Sequence, residues 1–301
     1  MNDQNNHYTP RNNLVQDYIT HHLKEEIKLE ILAGVAGFSP FHFHRIFKDM
    51  VGETVNNFIT RQKLERALSL MKHRHRLTLT EIAIDSGFRS SSDFSRTFRR
   101  YFGISPKQWD GEAHLEYSKI RQVDTGLQHY TLGELKMMEA ANRFKVRVEA
   151  FPETQLVYIR VRNSYANPDG FLQAFKTLAD WSEGNAIQST FIGMSQDDPD
   201  VTPASQCRYD VCMSVPLGTK TNRKEYSMLN TRLMPSCKIA CLSVMGDMQQ
   251  VDTAWQYLMR YWLPHSGSFP ENLPAMEIYR QSPVQAGWEA FDMECVVTIF
   301  S

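Results

Sequence analysis

The sequence predicts a multidomain protein: an N-terminal all-α domain with two helix-turn-helix units, then a C-terminal α+β domain of two ββαββ units. Three observations predict this fold class. A motif that begins at Phe38 occurs again at Phe88, the hydrophobic spacing changes from helical to alternating at Lys145, and the later order of strands and helices occurs twice. Repeats of this length indicate one supersecondary unit that is used more than once.

The first repeat runs from Phe38 to Gly52 and again from Phe88 to Gly103. At 100° per residue, the apolar side chains of each copy form one stripe, and the polar and basic side chains fall on the opposite face. The stripes comprise Phe43, Ile46, Phe47 and Met50 in the first copy, and Phe94, Phe98 and Tyr101 in the second. A stripe of this width is typical of a buried helix face, so we expect these residues in the core.

Each repeated helix has predicted ends. Ser39 is a typical N-cap and Pro40 a typical first helical residue, while Ser90 and Asp93 resemble a capping box. Glycine, which favours a left-handed helix end, follows each copy at Gly52 and Gly103.

A shorter apolar helix precedes each copy, over about 28–36 and 79–86, and each ends at a glycine. The second opens with Thr78-x-x-Glu81, a capping-box pattern. A short helix, a glycine turn and a capped helix are typical of the helix-turn-helix motif, whose second helix enters the major groove of DNA.

Residues 54–72 have helical apolar spacing between the two units. Such a helix is roughly 27 Å long, which suits two reading helices about one DNA turn, or ~34 Å, apart. A single basic helix face is most often only solvated. Two capped copies, each after a glycine turn, favour a DNA-reading function.

Residues 12–110 resemble the AraC/XylS family of bacterial transcription regulators. The matching motifs are Leu32-Ala-x-x-Ala36-Gly37-Phe38-Ser39, Phe47-Lys48-x-x-x-Gly52, Arg61-x-x-x-Leu64-x-x-Ala67, Ile82-Ala83-x-x-x-Gly87-Phe88, Phe94-x-Arg96-x-Phe98 and Tyr101-Phe-Gly-Ile-Ser105-Pro106. The resemblance implies promoter binding by two helix-turn-helix units joined by a central helix. Its base-reading positions fall on Phe41, His44, Arg45, Ser91, Ser92 and Arg96.

The residue types at these positions suit contact with DNA. Arginine pairs bidentately with guanine or bridges phosphates, and His44 donates or accepts a hydrogen bond. Phe41 either packs on a thymine methyl group or covers the start of the helix, and the sequence leaves both open. Ser95 shares the outward face. Lys48, Arg99 and Arg100 are interpreted as phosphate contacts, which position a protein on DNA without specifying sequence.

Charge divides the chain in the same way. Residues 1–121 hold 18 Lys and Arg against 14 Asp and Glu, whereas residues 122–301 hold 15 against 20. A basic half beside an acidic half is consistent with a nucleic-acid module joined to a domain of another function. We expect boundaries at 1–110 for the DNA-binding domain, 111–144 for a linker with a helix over 134–142, and 145–301 for the second domain.

Several classes of protein are disfavoured by the sequence. No apolar run approaches the ~18 residues that span a bilayer, and the polar start lacks a secretory signal. The five cysteines lack zinc-finger spacing, which favours free thiols in a cytoplasmic protein over a redox sensor. We expect no metal, no cofactor and no catalytic residue.

The second half alternates between strand and helix patterns. Strands are predicted at 146–151, 156–161, 189–195, 208–215, 226–233, 238–244, 275–280 and 293–300, with helices at 171–181 and 251–262. The order strand, strand, helix, strand, strand therefore occurs twice, which predicts a duplicated α+β domain.

Residues 145–301 resemble the GyrI-like effector-binding domain. The matching motifs are Cys207-Arg-Tyr-Asp-Val-Cys212-Met-Ser-Val-Pro216, Trp262-Leu-Pro264-x-Ser-Gly267 and Pro274-Ala-Met-Glu277-Ile-Tyr279-x-x-x-Pro283. The resemblance implies a cleft for small molecules in which an acid and aromatic walls bind lipophilic cations. By position the acid is Glu277, with Tyr279 beside it. Candidate walls are Tyr158, Trp181, Trp255, Trp262 and Trp288.

A carboxylate in an apolar cleft is costly, and a ligand cation relieves that cost, while aromatic faces add cation–π attraction. Each tryptophan also suits an ordinary core position, and Glu277 on a strand also suits contact with water or an arginine.

The leading hypothesis is a cytoplasmic, sequence-specific transcription regulator whose C-terminal domain binds a small-molecule effector. We expect double-stranded promoter DNA, RNA polymerase and the effector as partners. Two alternatives stay open: a GyrI-like hydrolase or sequestering domain fused to a DNA-binding module, and a ligand-independent regulator whose C-terminal half binds a protein.

Overall fold

The computed structural model describes residues 3–73, 77–109, 128, 130–141, 143–199, 201–221, 226, 228–287 and 290–300. The chain forms two compact units. Unit 1 comprises Met1–Gln122, Asp197–Cys207 and Asn222–Asn230, and unit 2 comprises Val123–Gln196, Arg208–Thr221 and Thr231–Ser301. The predicted linker over 111–144 lies outside the described residues for most of its length.

Unit 1 is helical, as predicted. Its elements are α1 (Asp3–His21), α2 (Leu29–Ala36), α3 (Pro40–Val51), α4 (Val55–His73), α5 (Leu79–Asp85), α6 (Ser91–Phe102) and a 3-10 turn at Pro106–Gln108. The pairs α2–α3 and α5–α6 are the two predicted helix-turn-helix units, and α4 is the predicted central helix. Helix α1 was not predicted, although Val15 and Ile19 are four residues apart, which is the spacing of one helix face, and both are fully buried.

The helix ends follow the predicted signals except at Ser39, and at Ser90, where only one of the two hydrogen bonds of a capping box forms. Thr78 and Glu81 form a reciprocal capping box at the start of α5, and the Ser90 hydroxyl accepts a hydrogen bond from the Asp93 amide. Ser39 occupies the N-cap position of α3, but its side chain makes no capping hydrogen bond, so that part of the prediction is wrong. Pro40, which has no amide hydrogen to satisfy, begins this helix instead.

Two features of the structure require glycine at Gly87, between α5 and α6. Its φ is +83°, and a Cβ atom there would lie 1.9 Å from the backbone oxygen of Leu23. Its own carbonyl accepts a hydrogen bond from the ammonium group of Lys63 at 2.6 Å. The turn of the second helix-turn-helix unit is thereby held against the end of α1 and the side of α4.

Helix α4 contributes to both hydrophobic cores of unit 1. Val55 and Phe58 pack in the first core with Phe43 and Phe47 of α3. Three α4 residues further along the helix, namely Leu64, Ala67 and Leu68, pack in the second core with Phe94 and Phe98 of α6. The phenylalanines of both predicted stripes and Ile46 are thus buried as predicted, whereas Met50 and Tyr101 are half-buried. One helix, α4, connects the two helix-turn-helix units.

Unit 2 is an α+β domain. Its strands are β1 (Val146–Phe151), β2 (Thr154–Arg162), β3 (Phe191–Ser195), β4 (Arg208–Val215), β5 (Asn230–Met234), β6 (Cys237–Gly246), β7 (Phe269–Pro270), β8 (Ala275–Tyr279) and β9 (Phe291–Phe300). Its helices are α7 (Leu132–Ala140), α8 (Pro168–Gly184), α9 (Met248–Gln256), α10 (Leu263–His265) and α11 (Pro283–Ala286), with π-helical residues at Tyr257–Trp262. The predicted order of strands and helices is confirmed, and the two-residue strand β7 was not predicted.

The strand order expresses the duplication. The antiparallel sheet runs β1-β6-β9-β8-β3-β4-β2-β5, with β7 beside β9. The first repeat contributes β1, β2, β3 and β4, and the second contributes β5, β6, β8 and β9. Outward from the central pair β3–β8, one half of the sheet contains β8, β9, β6 and β1, and the other contains β3, β4, β2 and β5. The first strand of each repeat, β1 or β5, therefore lies at the edge of the half that the other repeat forms. Gly193 and Glu277 are directly paired across the central strands, so they occupy equivalent positions of the two repeats.

The register assigns residues to the two faces of the sheet, because directly paired residues project to the same side. Glu277 shares a face with Gly193, Val211 and Cys295. Helices α8 and α9 cover this face. The helix-to-sheet contacts are Phe175 with Phe191 and Tyr279, Phe171 with Tyr209, and Trp255 with Glu277.

Two segments that the sequence places in the C-terminal half belong to unit 1. Val201 is fully buried in the core beside α4 and α6. Asn230 is also fully buried, and it exchanges hydrogen bonds with the Asn13 side chain and the Pro10 carbonyl of α1. Domain boundaries predicted from a change in hydrophobic spacing are contiguous in sequence, so they missed these two segments.

Candidate DNA-reading surface and effector site

The first candidate DNA-reading residues lie on the outward face of α3. The side chains of His44, Arg45 and Lys48 are exposed, and Phe41 is 83% exposed although it is a large apolar residue. Phe43, Ile46 and Phe47 of the same helix are buried. Helix geometry thus directs the basic side chains away from the core, as the 100° spacing predicted.

Helix α6 has the same arrangement. Ser92, Arg96, Arg99 and Arg100 are exposed, whereas Ser91 and Ser95 are half-buried. Within the described part of the chain, no ion pair engages Arg45, Lys48 or the three arginines of α6. These charges are therefore available to an external anion. We define the outward faces of α3 and α6 as the reading surface.

The second candidate site is centred on Glu277 of β8, whose side chain is half-buried. Its Oε1 accepts a hydrogen bond from the indole N–H of Trp255 at 3.1 Å. Its Oε2 accepts from the hydroxyl of Tyr279 at 3.0 Å and from the hydroxyl of Tyr209. We call these four residues the Glu277 cluster.

The chemistry of the cluster favours a cation. All three donors are neutral, and among the described residues no Lys, Arg or His pairs with the Glu277 carboxylate. Neutral donors stabilise the ionised carboxylate without cancelling its charge. A negative charge surrounded by three aromatic rings is the arrangement that attracts an organic cation by both ion pairing and cation–π contact.

Gly193 leaves the space that the Tyr209 ring occupies. A Cβ atom at residue 193 would lie 1.6 Å from the Tyr209 hydroxyl oxygen and 2.4 Å from Cζ. The tyrosine therefore crosses β3 over the glycine and reaches Glu277 on the next strand. Since Gly193 and Glu277 are equivalent in the two repeats, the duplicated fold has one glycine and one glutamate at its centre.

The two tyrosines of the cluster stay protonated at high pH. Burial raises the pKa of both Tyr209 and Tyr279 well above 10, and the neighbouring Glu277 carboxylate raises both further. Their hydroxyl groups therefore remain donors to the carboxylate over the whole neutral range.

We expect alkaline pH to destabilise the protein through these tyrosines. Above about pH 10 tyrosine in the unfolded chain loses its proton, but Tyr209 and Tyr279 in the folded chain keep theirs, so unfolding releases protons. The free energy of unfolding should thus fall as pH rises through 10, by up to about 1 kcal/mol per pH unit for each tyrosine. Urea denaturation at several pH values should give a shallower fall for Tyr209→Phe than for wild type. The exposed Tyr165, replaced by phenylalanine, is the control; equal pH dependence in Tyr209→Phe and wild type would contradict the assignment.

Tyr158 does not belong to the Glu277 cluster, so its assignment as a ligand wall is corrected. Its register partner Cys212 pairs in turn with Ile192, which places Tyr158 on the sheet face opposite Glu277. The ring is fully buried, and the Arg232 guanidinium lies 4.3 Å from its centroid. Tyr158 is therefore a core residue beside a buried ion-pair network of Asp210 with Arg160 and Arg232.

The predicted tryptophans have different positions. Trp255 contacts Glu277, as described above. Trp181 is 1% exposed at the end of α8 and Trp262 is half-buried, and the described hydrogen bonds and ring contacts connect neither of them to Glu277. Trp288 lies outside the described residues.

Comparison with known proteins identifies both parts of the chain. Residues 144–294, half of the 301 residues, match a family model described as a GyrI-like small molecule binding domain. The chain belongs to the GyrI-like family. Residues 32–111 of this GyrI-like protein match a second family model, which is described as a helix-turn-helix domain.

Curated relatives match about a third of this GyrI-like protein. It is 34% identical over 96 residues to the probable transcriptional regulator LumQ of Photobacterium leiognathi, covering 32% of this chain and 38% of LumQ. It is 36% identical over 91 residues to the HTH-type transcriptional regulator YbfP of Bacillus subtilis (strain 168), covering 30% of each chain. The matched region thus spans well under half the length of these relatives.

Solved structures each align with a portion of the chain. An AraC-type transcriptional regulator from Chromobacterium violaceum aligns at 24% identity and a TM-score of 0.31, covering 33% of this chain and 88% of its own. The DNA-binding domain of AdpA, solved with a target DNA, aligns at 28% sequence identity and a TM-score of 0.31, and the alignment covers 36% of this chain and 92% of the AdpA chain. The EcmrR C-terminal domain aligns at 12% sequence identity and a TM-score of 0.41, and the alignment covers 52% of this chain and 98% of the EcmrR chain.

The GyrI-like domain also contains one cluster with metal-ligating residue types. Single ligand atoms of Glu149, Cys241 and Glu294 lie within 4.8 Å of one another. The Glu294 carboxylate, however, is already bound by the guanidinium groups of Arg147 at 2.5 Å and Arg280 at 2.6 Å. We assign this cluster to an ion-pair network.

All five cysteines of the GyrI-like protein are free thiols, as expected. Burial raises the pKa of Cys241 to about 11 and that of Cys295 well above its ordinary value, so these thiols are protonated and disfavour a redox sensor. No helix in the described part of the chain is long and apolar enough to cross a membrane.

Sequence reasoning missed Tyr209 and Gly193 as residues of the site. Tyr209 stands inside the quoted motif Cys207-Arg-Tyr-Asp, but the alternation of a strand does not show which neighbouring strand its ring crosses. Gly193 is an isolated glycine within a strand, a signal for close approach of another group. That signal was available in the sequence and was not used.

Proposed function

We propose that this protein is a sequence-specific, DNA-binding transcription regulator whose GyrI-like domain binds a lipophilic organic cation as its effector. The observation that carries the DNA-binding part is the reading surface: two helices, each after a turn, expose basic side chains that no ion pair engages among the residues that the structure describes. The curated relatives, which are named as transcriptional regulators, support the same function.

The reading surface supports separate roles for its residues. Arg45 and Arg96 occupy central exposed positions of α3 and α6, where a guanidinium group pairs bidentately with guanine. His44 and Ser92 add hydrogen-bonding groups, and half-buried Ser91 and Ser95 lie at the edge of the surface. Lys48, Arg99 and Arg100 near the helix ends contact phosphates and position both helices.

The 83% exposure of Phe41 supports one of its two alternatives. A phenylalanine that covered the start of its own helix would lose more of its surface to contact. A side chain that projects from the reading surface is available to the methyl group of thymine.

The Glu277 cluster supports binding of a cation rather than catalysis. A cation that reaches the half-buried carboxylate neutralises a charge that only neutral donors now contact, and the rings of Tyr209, Tyr279 and Trp255 add cation–π attraction. The nearest thiol along the register, Cys295, is protonated and therefore a poor nucleophile. We accordingly assign no catalytic residue.

The cellular setting follows from the same proposal. A regulator that reads promoter DNA acts where the chromosome lies, which in a bacterium is the cytoplasm. It acts on transcription through RNA polymerase, so the polymerase is a proposed partner.

The effector proposal predicts that Glu277→Gln loses binding of tetraphenylphosphonium, a lipophilic cation used as the probe. We expect the affinity to fall roughly 30-fold or more, because loss of one member of a desolvated charge pair costs about 2 kcal/mol or more. Isothermal titration calorimetry of the full-length chain measures the affinity. In wild type the cation should also raise the melting temperature, because it binds the native state.

The control is Glu153→Gln, which removes the same charge from an exposed turn between β1 and β2. This variant should bind tetraphenylphosphonium like wild type. Equal binding by wild type and Glu277→Gln would contradict the effector site, and turnover of the probe would contradict the non-catalytic assignment.

A further inference from the structure

Arg61 of α4 lies at the centre of a buried polar network in unit 1. The residue is 2% exposed. Its guanidinium group donates to Glu53 at 2.7 Å, Glu65 at 3.0 Å, Asp197 at 2.9 Å and the Thr202 hydroxyl at 2.8 Å. The carboxylate of Asp197 is fully buried. We call these five residues the Arg61 network.

The network joins the parts of unit 1 that hold the reading helices. Glu53 lies between α3 and α4, and the Arg61 guanidinium stacks on Phe58 of the first core at 5.1 Å. Gln62 donates to both Glu65 and Asp197, at 2.9 and 3.1 Å. Arg61 thus lies on α4 between the residues that pack against α3 and those that pack against α6.

Two members of the network, Asp197 and Thr202, come from the segment 197–207, which is far from α4 in sequence. The same segment makes one further contact with α6 and one with the end of α4. The carbonyl of Val201 accepts a hydrogen bond from the Tyr101 hydroxyl at 3.3 Å, and Asp198 pairs with Lys72 at 3.3 Å. The buried polar groups of α4 are therefore completed by residues that the N-terminal sequence does not contain.

Segment 197–207 begins and ends at the strands that build the Glu277 cluster. Ser195 at the end of β3 pairs directly with Tyr209 of β4. The backbone amide of Gln196 donates to the Arg208 carbonyl at 3.0 Å, which closes the stem of the hairpin. A single residue, Arg208, separates Cys207, the end of the segment, from Tyr209, which donates to Glu277.

A shift of the β3–β4 stem therefore acts on α4 through the hydrogen bonds of Arg61. Asp197 and Thr202 are held by the buried guanidinium group, and a buried charge that loses a partner is strongly destabilised. The segment and Arg61 must then move together, or the network must change partners. Packed and buried contacts of this kind favour discrete arrangements over continuous deformation.

We propose that segment 197–207 transmits occupancy of the Glu277 cluster to α4, with Asp197 and Thr202 of the segment positioning Arg61 and so the two reading helices. This inference rests on the proposed function and deepens it by naming the residues that regulate DNA binding. A cation at Glu277 competes with the hydroxyl of Tyr209 for the carboxylate, moves the β3–β4 stem, and changes how the Arg61 network holds α4. Asp197 and Thr202 are positioning residues and contact neither ligand.

The test compares Asp197→Asn with Asp180→Asn in the full-length chain. The two variants make the same chemical change, but Asp180 is an exposed residue of α8 and belongs neither to segment 197–207 nor to the Arg61 network. The DNA is a duplex selected by the wild-type chain from a random library, and the cation is tetraphenylphosphonium. In wild type and Asp180→Asn the cation should change the DNA dissociation constant by about 5- to 150-fold, the usual range of allosteric coupling.

Asp197→Asn should reduce that factor to about 2-fold or less, a value well below the range for allosteric coupling, while it still binds the cation alone with wild-type affinity. Retention of the wild-type factor in Asp197→Asn would overturn the inference. So would a wild-type protein that binds both ligands without any coupling. Thr202→Val, which keeps the side-chain volume, provides a second variant with the same expectation if Asp197→Asn does not fold.

A second arm replaces the cation by a substitution. The effect of Glu277→Gln on DNA affinity is measured in wild type and in Asp197→Asn, as a double-mutant cycle. We expect a change in the wild-type background and a clearly smaller one in Asp197→Asn. An equal effect in both backgrounds, or none in wild type, overturns the inference. If tetraphenylphosphonium does not bind wild type, the effector proposal fails and this arm alone decides the inference.

Discussion

Replacement of both Arg45 and Arg96 by alanine should abolish sequence-specific duplex binding by the full-length protein. Each arginine lies on the exposed face of a reading helix, and loss of one arginine contact to a base costs about 1–3 kcal/mol. The two positions are on different helix-turn-helix units, so the costs should add. We expect a loss of about 100-fold or more, measured by fluorescence anisotropy with the duplex selected by the wild-type chain.

The control for this prediction is a double replacement of Lys136 and Arg143 by alanine. Both residues are exposed and lie in unit 2, and the change in net charge is the same. It should alter DNA affinity by less than about 3-fold, because charges remote from the duplex are largely screened at physiological salt. Equal losses in both double variants would mean that net charge, and not the reading surface, determines binding.

Gly193→Ala should disrupt the Glu277 cluster more severely than removal of any hydrogen-bonding group within it. The added methyl group would lie 1.6 Å from the Tyr209 hydroxyl oxygen, and the ring cannot easily yield because it is 8% exposed and packs on Phe171 at 5.0 Å. Overpacking of this kind costs about 1–3 kcal/mol. Displacement of the ring also breaks its hydrogen bonds with Glu277 and Tyr279.

We therefore expect Gly193→Ala to lower the free energy of unfolding and to weaken tetraphenylphosphonium binding about 10-fold or more. The displaced Tyr209 ring no longer makes a cation–π contact or holds the Glu277 carboxylate in place, and together these losses cost more than about 1.4 kcal/mol of binding free energy. Urea denaturation and calorimetry measure the two effects. Gly184→Ala, where a Cβ atom meets nothing within 4 Å, is the control and should be neutral.

A second substitution tests the physical cause of the Gly193→Ala effect. In a Tyr209→Ala background the obstructing ring is absent, so the alanine at 193 should cost much less stability than in wild type. If Gly193→Ala is equally destabilising in both backgrounds, the clash with Tyr209 is not its cause.

The local signals in the sequence were sufficient for the helical half. Because the stripe of Phe43 and Phe47 has a 3.6-residue period, it predicts both the helix and the buried side, and exposure of Arg45 on the other side follows from geometry alone. The cap at Ser39 shows the limit of such signals. The residue type is right for a cap, but whether its hydroxyl group accepts the hydrogen bond depends on a rotamer that the sequence does not specify.

The Glu277 cluster was only partly predictable for a related reason. The resemblance to the GyrI-like domain placed the acid at Glu277, whose role in ligand binding stays a prediction, and Tyr279 lies two residues away on the same face of its strand. Tyr158 lies on a different strand. Side chains alternate between the two faces along each strand, but the sequence does not show whether Tyr158 and Glu277 share a face. The register of strand pairing through Cys212 and Ile192 decides it. The assignment of Tyr158 as a wall was wrong because a shift of one residue in register exchanges the faces of a strand.

The sequence by itself determined the fold class, the two helix-turn-helix units and the duplication of the C-terminal domain, since each depends on patterns within short stretches of chain. Only the tertiary structure decided that Tyr209 crosses Gly193 to reach Glu277, and that Asp197 and Thr202 complete the network around Arg61. These contacts join residues that are distant in sequence, and their existence depends on strand register and close packing, which no local period encodes.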